Sequence, residues 1–295
     1  MPKSKSIVVC TPTVDGKFEH GMMLSVTAAL YEMQKAGWKT ILDYPRGSNI
    51  GVLRDLGVRA ALDADTEYLL QIDSDTVIAS NAYDSILKLI ERDVDIVSGL
   101  YVGKQGDFVP IAAHYQGHHG RYQTVEEIPL DGSMVEVDAV GGGFLLVKTE
   151  VFRHLTPPYF HWFTGYPDMP DTPFSLRGCR NEETLQRIKT AAGRVDTWLK
   201  ENPDKGLVDV PYTTLRDFLM FSSCAIPGVQ HGEDYGFCYK AKAAGYKVWL
   251  DCSVMLGHIG SYIYTPRDYM MNKAYRESLN GHSETDNAGI VKVGV

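Results

Sequence analysis

Tyr68-Leu69-Leu70-Gln71-Ile72-Asp73-Ser74-Asp75 is the stretch that decides how the chain is read. Its first five residues are mostly apolar and of a length suited to a buried strand. Two aspartates follow, separated by one serine. In an extended chain, residues two apart share a side, so Asp73 and Asp75 are expected to converge at the strand's carboxyl end. Like charges gathered in that way are costly unless a cation or another partner neutralises them. Paired carboxylates completed by diphosphate oxygens suit Mn²⁺ or Mg²⁺. The plainer reading of the same residues is an exposed aspartate-rich turn that caps the next helix.

Outward from this stretch the pattern is regular. Residues 7–10 form a β-branched run that stops at Thr11-Pro12-Thr13. Residues 19–35 carry Met23, Val26, Leu30 and Met33 at helical spacing, and Gly37 closes that helix. A strand over 39–44 contains Asp43, and a helix over 50–64 presents Val52, Leu56 and Ala60 on one side. After the aspartates, a helix over 82–92 and a strand over 95–100 complete the first hundred or so residues. Strands alternating with helices imply βαβ units and a mostly parallel sheet flanked by helices. Ligands of such sheets bind outside the carboxyl ends of the strands, near a topological switch point. Thr11, Pro12, Thr13, Asp43 and the aspartate pair are therefore expected to share one crevice.

The second half is less regular. Short antiparallel strands are expected over 112–115 and 121–126. A strand over 135–140 leads into Gly141-Gly142-Gly143, and another spans 144–147. Residues 157–173 read as a loop rich in proline and aromatics. Residues 182–201 read as a polar helix with Leu185, Ile188, Ala192, Val195 and Leu199 on one side. A helix over 232–245 opens with Glu233-Asp234. A last core strand over 247–251 precedes Gly257-His258-Ile259-Gly260. The expected organisation is one catalytic domain, 1–279, with a nucleotide-binding half, 1–105, and a metal and acceptor half, 106–262. Residues 157–229 interrupt the second half as an insertion, and 280–295 read as a flexible tail.

Composition narrows the class. The 295 residues are 44% hydrophobic and 22% charged, ordinary for a globular enzyme, and the net charge of −8 argues against a broad nucleic-acid-coating surface. The five cysteines have no metal-knuckle spacing and read as buried hydrophobes in a reducing compartment. No secretory h-region is present, and no apolar run approaches the ~20 residues of a membrane span. A soluble cytoplasmic enzyme is expected, in the host cytoplasm if the source is viral.

Several motifs together resemble the GT-A glycosyltransferase superfamily, and more loosely its family 2-like group. They are Thr11-Pro12-Thr13 after the first strand, Asp73-Ser74-Asp75 after the third, the glycine segment ending in Phe144, and Gly232-Glu233-Asp234-Tyr235 followed by Ala244-Gly245-Tyr246-Lys247-Val248. The resemblance covers residues 7–152 and 229–260, and includes His258 where many members place a late metal-binding histidine. It implies a GT-A-type Rossmann-like sheet with a smaller antiparallel part and an inserted segment. It also implies a nucleotide-sugar donor, UDP-sugar first. The residues implied to hold the donor are Thr11, Pro12, Thr13, Asp43, Arg54, Asp73, Ser74, Gly141, Gly142 and Gly143. Those implied to hold the metal are Asp73, Asp75 and His258. Asp234 would be the general base of an inverting mechanism, with Glu233 orienting the acceptor. The chain departs from the family at Tyr235-Gly236-Phe237-Cys238, where Leu or a basic residue is usual, and this keeps retaining chemistry open.

Read on their own, these residues admit plainer roles. The glycines form either a close floor beneath a ligand or a β-bulge. Glu233-Asp234 are either catalytic or simply favoured by the helix dipole. His258 is a ligand or a structural histidine. Arg54 contacts a base or diphosphate, or lies on a solvated helix face. Acceptor classes are a saccharide, a lipid-linked sugar, a protein or, as for some phage enzymes, a modified DNA base. The DNA reading rests on Arg177, Arg180, Arg187, Lys189, Arg194 and Lys200 beside Tyr159, Phe160, Trp162 and Phe163. Two other classes are nucleotidyl transfer and non-catalytic nucleotide-sugar binding. The first needs a basic, glycine-rich loop after the first strand, and residues 11–16 hold no Lys or Arg.

Overall fold

The computed structural model describes residues 5–78, 81–104, 108–116, 122–129, 131–161, 163–164, 182–205, 210–211, 214, 230–260 and 263–286. In chain order the elements are β1 (Ser6–Cys10), α1 (His20–Lys35), β2 (Lys39–Asp43), α2 (Ile50–Asp63), β3 (Tyr68–Ile72), β4 (Thr76–Ile78), α3 (Ala82–Glu91) and β5 (Ile96–Leu100). Next come β6 (Ala112–Tyr115), β7 (Tyr122–Thr124), β8 (Met134–Val137), β9 (Ala139–Val140), β10 (Phe144–Lys148), α4 (Thr149–His154), β11 (Phe163–Thr164) and α5 (Glu182–Glu201). The last are β12 (Gln230–His231), α6 (Glu233–Ala243), β13 (Val248–Ile259), β14 (Ile263–Tyr264) and α7 (Pro266–Asp286).

The fold is a Rossmann-like α/β sheet in the order β14-β13-β5-β10-β3-β1-β2, with β4 and β8 also paired to β13. β1 pairs in parallel with both β2 and β3, and β13 pairs in parallel with β5. β10, the strand after the glycines, runs antiparallel to β3 and β5. A small antiparallel sheet, β7-β6-β9, lies beside the main one. The chain leaves β1 to one side for β2 and returns to its other side for β3. β1 is therefore the switch point, and its carboxyl end faces a crevice.

Alternation along β1 sends side chains to two cores. Ile7 and Val9 pack with Met22, Val26 and Met33 of α1 and with Ile86 and Leu89 of α3. Val8 and Cys10 pack with Val58 and Ala61 of α2, Phe152 of α4, and Phe237 and Cys238 of α6. Side-chain caps start the helices: Glu19 accepts from Met22 N–H at 2.8 Å and Asn49 from Val52 N–H at 3.2 Å. At the far end of α1, Gly37 takes φ +84°, as the sequence pattern requires.

Four expectations need correction. The buried side of α2 is not Val52, Leu56 and Ala60: Val52 is buried with Gly51, Arg54, Val58 and Ala61, while Leu56 and Ala60 are only partly covered. A buried arginine with carboxylate partners made that side look polar. On α5, Val195 is buried on Val52 and Val210 with Leu199 against them, as expected, but Ala191 is buried where Ala192 was expected. The last core strand does not stop at Asp251. After a register shift it bends away from β5 and pairs with β4, so His258 lies within β13 rather than in a later loop. Finally, α7 continues past Asn280 to Asp286, into the segment expected to be a tail. Its polar sequence hid a helix held by Tyr269, which is buried against Val102 and Tyr264. Residues 287–295, most of the 157–173 loop, and Trp162, Arg177 and Arg180 lie outside the described residues. So do Cys179 and Cys224, while Cys10, Cys238 and Cys252 are free and buried. No helix among the described residues is long and apolar enough to cross a membrane.

Candidate active site

A cleft of about 620 Å³ opens at the carboxyl ends of β1 and β3. Its lining includes Pro12, Arg54, Asp73, Ser74, Asp75, Glu233, Asp234 and His258, all singled out from sequence. Thr11 and Thr13 are buried behind the cleft, and Asp43 stands beside them, its carbonyl accepting Thr11 N–H at 2.8 Å. The glycines back the inner wall without being part of its lining.

The aspartate pair sits in a turn, not in β3, which ends at Ile72. Thr76 N–H closes that turn on the Asp73 carbonyl at 3.1 Å. The side-by-side strand geometry expected for the two carboxylates is therefore lost, and each takes different partners. Asp73 turns inward. Its Oδ1 accepts from Arg54 Nη2 at 2.6 Å, while Arg54 Nε donates to Glu233 Oε1 at 3.1 Å and Nη1 to the Gly142 carbonyl at 3.1 Å. Only 3% of the Arg54 side chain is exposed, and the ring of Phe160 lies 5.9 Å from the guanidinium carbon. Burial opposes its charge, but Asp73, Glu233 and Asp234 hold it firmly protonated.

The glycines make room for this wall. None of Gly141, Gly142 and Gly143 has a positive φ, so close approach rather than backbone freedom explains them. A Cβ on Gly142 would lie 2.5 Å from the Arg54 Cζ, and one on Gly141 would lie 1.9 Å from the Tyr101 hydroxyl. Gly143 N–H donates to that hydroxyl at 2.9 Å.

Asp234 follows Glu233 in the first turn of α6, and both line the cleft. Its Oδ1 accepts from Tyr235 N–H at 2.8 Å and its Oδ2 from Gly142 N–H at 3.2 Å. Burial, then the charge of Glu233, pushes its carboxyl up to about 7, against the opposing pull of Arg54 and the Tyr235 N–H.

Asp75 faces the other way. Its Oδ2 is ion-paired with Lys104 Nζ, and its Oδ1 lies 3.5 Å from His258 Nε2. The pairing of Thr76 with His258 across β4 and β13, and the Ile259 N–H bond to the Asp75 carbonyl at 2.9 Å, bring these residues together. Desolvation works to raise the Asp75 carboxyl, yet hydrogen bonds from His258 and Lys104 prevail and hold it near about 2. His258 Nδ1 is 2.9 Å from the Val102 carbonyl, which can only accept, so Nδ1 carries a proton. Nε2 then faces the Asp75 carboxylate across their 3.5 Å gap, as a donor when it carries a proton and as a lone pair when it does not. In the second form the two atoms could share a cation, with the far nitrogen fixed by the carbonyl. Among the described residues no three His, Cys, Asp or Glu side chains gather around such a point. Asp75 and His258 could together offer a divalent ion two ligands, the others having to come from a bound molecule or water.

Tyr101 and Lys104 were not singled out from sequence. Both follow the carboxyl end of β5, so the strand-end rule applied to the first three strands would have flagged them.

No protein-family model matches the chain, and no curated protein matches it. Among solved structures it is similar to A197 from STIV, at 14% identity over 86% of each chain with a TM-score of 0.43. It is also similar to a glycosyltransferase involved in the glycosylation of the major capsid of PBCV-1, at 12% identity over 50% of this chain and 62% of that one, TM-score 0.30. A third is mannose-1-phosphate geranyltransferase from Thermus thermophilus, at 11% identity over 84% of this chain and 74% of that one, TM-score 0.38. At this distance a functional reading rests on the geometry of the cleft itself.

Proposed function

We propose that the chain is a GT-A-type glycosyltransferase that moves a sugar from a nucleotide-diphosphate sugar, UDP-linked first, to an acceptor hydroxyl with Mn²⁺ or Mg²⁺. One observation carries the reading: Asp73, Asp75, His258 and the Glu233-Asp234 pair line a single cleft at the switch point of the sheet. When bound, a divalent cation would supply positive charge against the diphosphate leaving group.

The chain's own residues do the rest. Pro12 lies beside the carboxyl end of β1, where it can flank the nucleotide. Arg54 is a positioning residue rather than a diphosphate ligand, since its fork is spent on Asp73, Glu233 and a backbone carbonyl. Glu233, held through Oε1, keeps Oε2 for orienting the acceptor. Asp234 takes the proton of the acceptor hydroxyl as that oxygen attacks the anomeric carbon. A single displacement of this kind inverts the anomeric configuration.

The test is to incubate the protein with Mn²⁺ and a panel of nucleotide sugars and to follow donor hydrolysis. The expected result is slow release of nucleoside diphosphate from one donor, abolished by chelation and restored by Mn²⁺. Pyrophosphate exchange in place of that release would overturn the reading in favour of nucleotidyl transfer. Nucleotide-sugar binding without any turnover would reduce the chain to a binding protein.

A further inference from the structure

Each aspartate of the pair is matched by a cation, and the two cations differ in what else holds them. Arg54 is buried and bonded to three separate acceptors. Lys104 is 31% exposed, and among the described residues Asp75 is its polar partner. Its stem passes close to Gly260, where a Cβ would lie 3.4 Å from the lysine Cδ. An ammonium on a four-carbon stem, tied at one point, can swing while the stem keeps its packing.

Any divalent ion shared by Asp75 and His258 would sit against the Lys104 ammonium. Like charges at that separation repel, and the weaker-held one moves. We infer that Lys104 is a resident counter-ion of Asp75, displaced when the metal arrives and transferred to the diphosphate of the donor. This inference rests on the proposed nucleotide-sugar reading and adds to it a residue and an order of events. In the donor-free protein, Lys104 keeps Asp75 neutralised and weakens metal binding. With metal and donor together, the same ammonium contributes a second positive charge to the leaving group. Metal and nucleotide then bind cooperatively, because each favours the same position of one side chain.

Mn²⁺ binding to the full chain, followed by the free-ion EPR signal, tests this directly. Wild type, Lys104→Met, Lys104→Gln and Asp75→Asn are titrated with and without UDP, and circular dichroism checks that each is folded. Both lysine variants should bind Mn²⁺ alone roughly tenfold more tightly than wild type, and UDP at saturating Mn²⁺ roughly tenfold more weakly. Unchanged Mn²⁺ affinity in both would overturn the counter-ion role. Tighter Mn²⁺ with unchanged UDP affinity would overturn the transfer to diphosphate. Asp75→Asn separates this inference from the reading beneath it. If that variant binds Mn²⁺ and UDP as wild type does, the metal site itself is misassigned, whatever the lysine variants do.

Discussion

The two walls of the cleft solve the same electrostatic problem in opposite ways. On the inner wall Asp73 and Glu233 share a buried guanidinium, and Asp234 takes backbone N–H groups from Gly142 and Tyr235. On the outer wall Asp75 is 38% exposed and meets a lysine and a histidine. The inner wall is prebuilt, because moving any member would strand another buried charge. The outer wall has an exchangeable partner. On the proposed reading the two walls divide the labour: fixed groups for the reacting oxygen, movable charge for metal and diphosphate.

The largest contrast should appear in stability. Arg54→Met leaves two carboxylates facing each other with little solvent, and should cost about 3–5 kcal/mol. Lys104→Met removes a partner from a part-exposed pair, and should cost about 0–1 kcal/mol. Urea denaturation of the two variants measures the difference, and equal losses would erase the distinction between the walls.

Next in size is catalysis. Asp234→Asn keeps the shape and removes the basicity, so kcat should fall roughly 10²–10⁴-fold with donor affinity nearly unchanged. Product NMR should show inverted configuration. Retained configuration would reassign Asp234 to orienting sugar or acceptor, and would leave the outer wall untouched.

The pH profile gives a smaller and more specific signature. Asp234 must be ionised to accept a proton, and its carboxyl is raised to about 7. kcat/KM should therefore rise with pH through about 7 and level off above it. The residual activity of Asp234→Asn should lack that limb. A profile already flat from the ordinary carboxylate range upward would mean that the base is elsewhere or better solvated.

The same contrast explains what could be read from sequence. The βαβ order was legible because β1, α1, β2 and β3 are local patterns closed by residues such as Gly37, and periodicity alone identifies them. The inner wall was half legible. Glu233 and Asp234 announce themselves by position, but Arg54 looks like a surface residue until Asp73 and Glu233, both distant in sequence, are folded onto it. The aspartate pair was found, while its geometry was misjudged, because a turn closed by Thr76 and not a strand carries it. His258 lines the cleft, but its place inside β13 depends on a long-range pairing with β4 that no local signal encodes. Lys104 lay within reach of the strand-end rule after β5, but its pairing with Asp75 is a long-range contact.

The measurement closest to the central claim is calorimetry of UDP binding to wild type and Asp75→Ala, in Mn²⁺ and again in EDTA. Wild type should gain affinity with Mn²⁺ by at least the roughly 10–100-fold that outer-shell partners of metal ligands alone control. Asp75→Ala should bind UDP weakly and equally in both buffers. Equal affinity of wild type and variant in Mn²⁺ would contradict a metal–diphosphate site at Asp75 and, with it, the glycosyl-transfer account of the cleft.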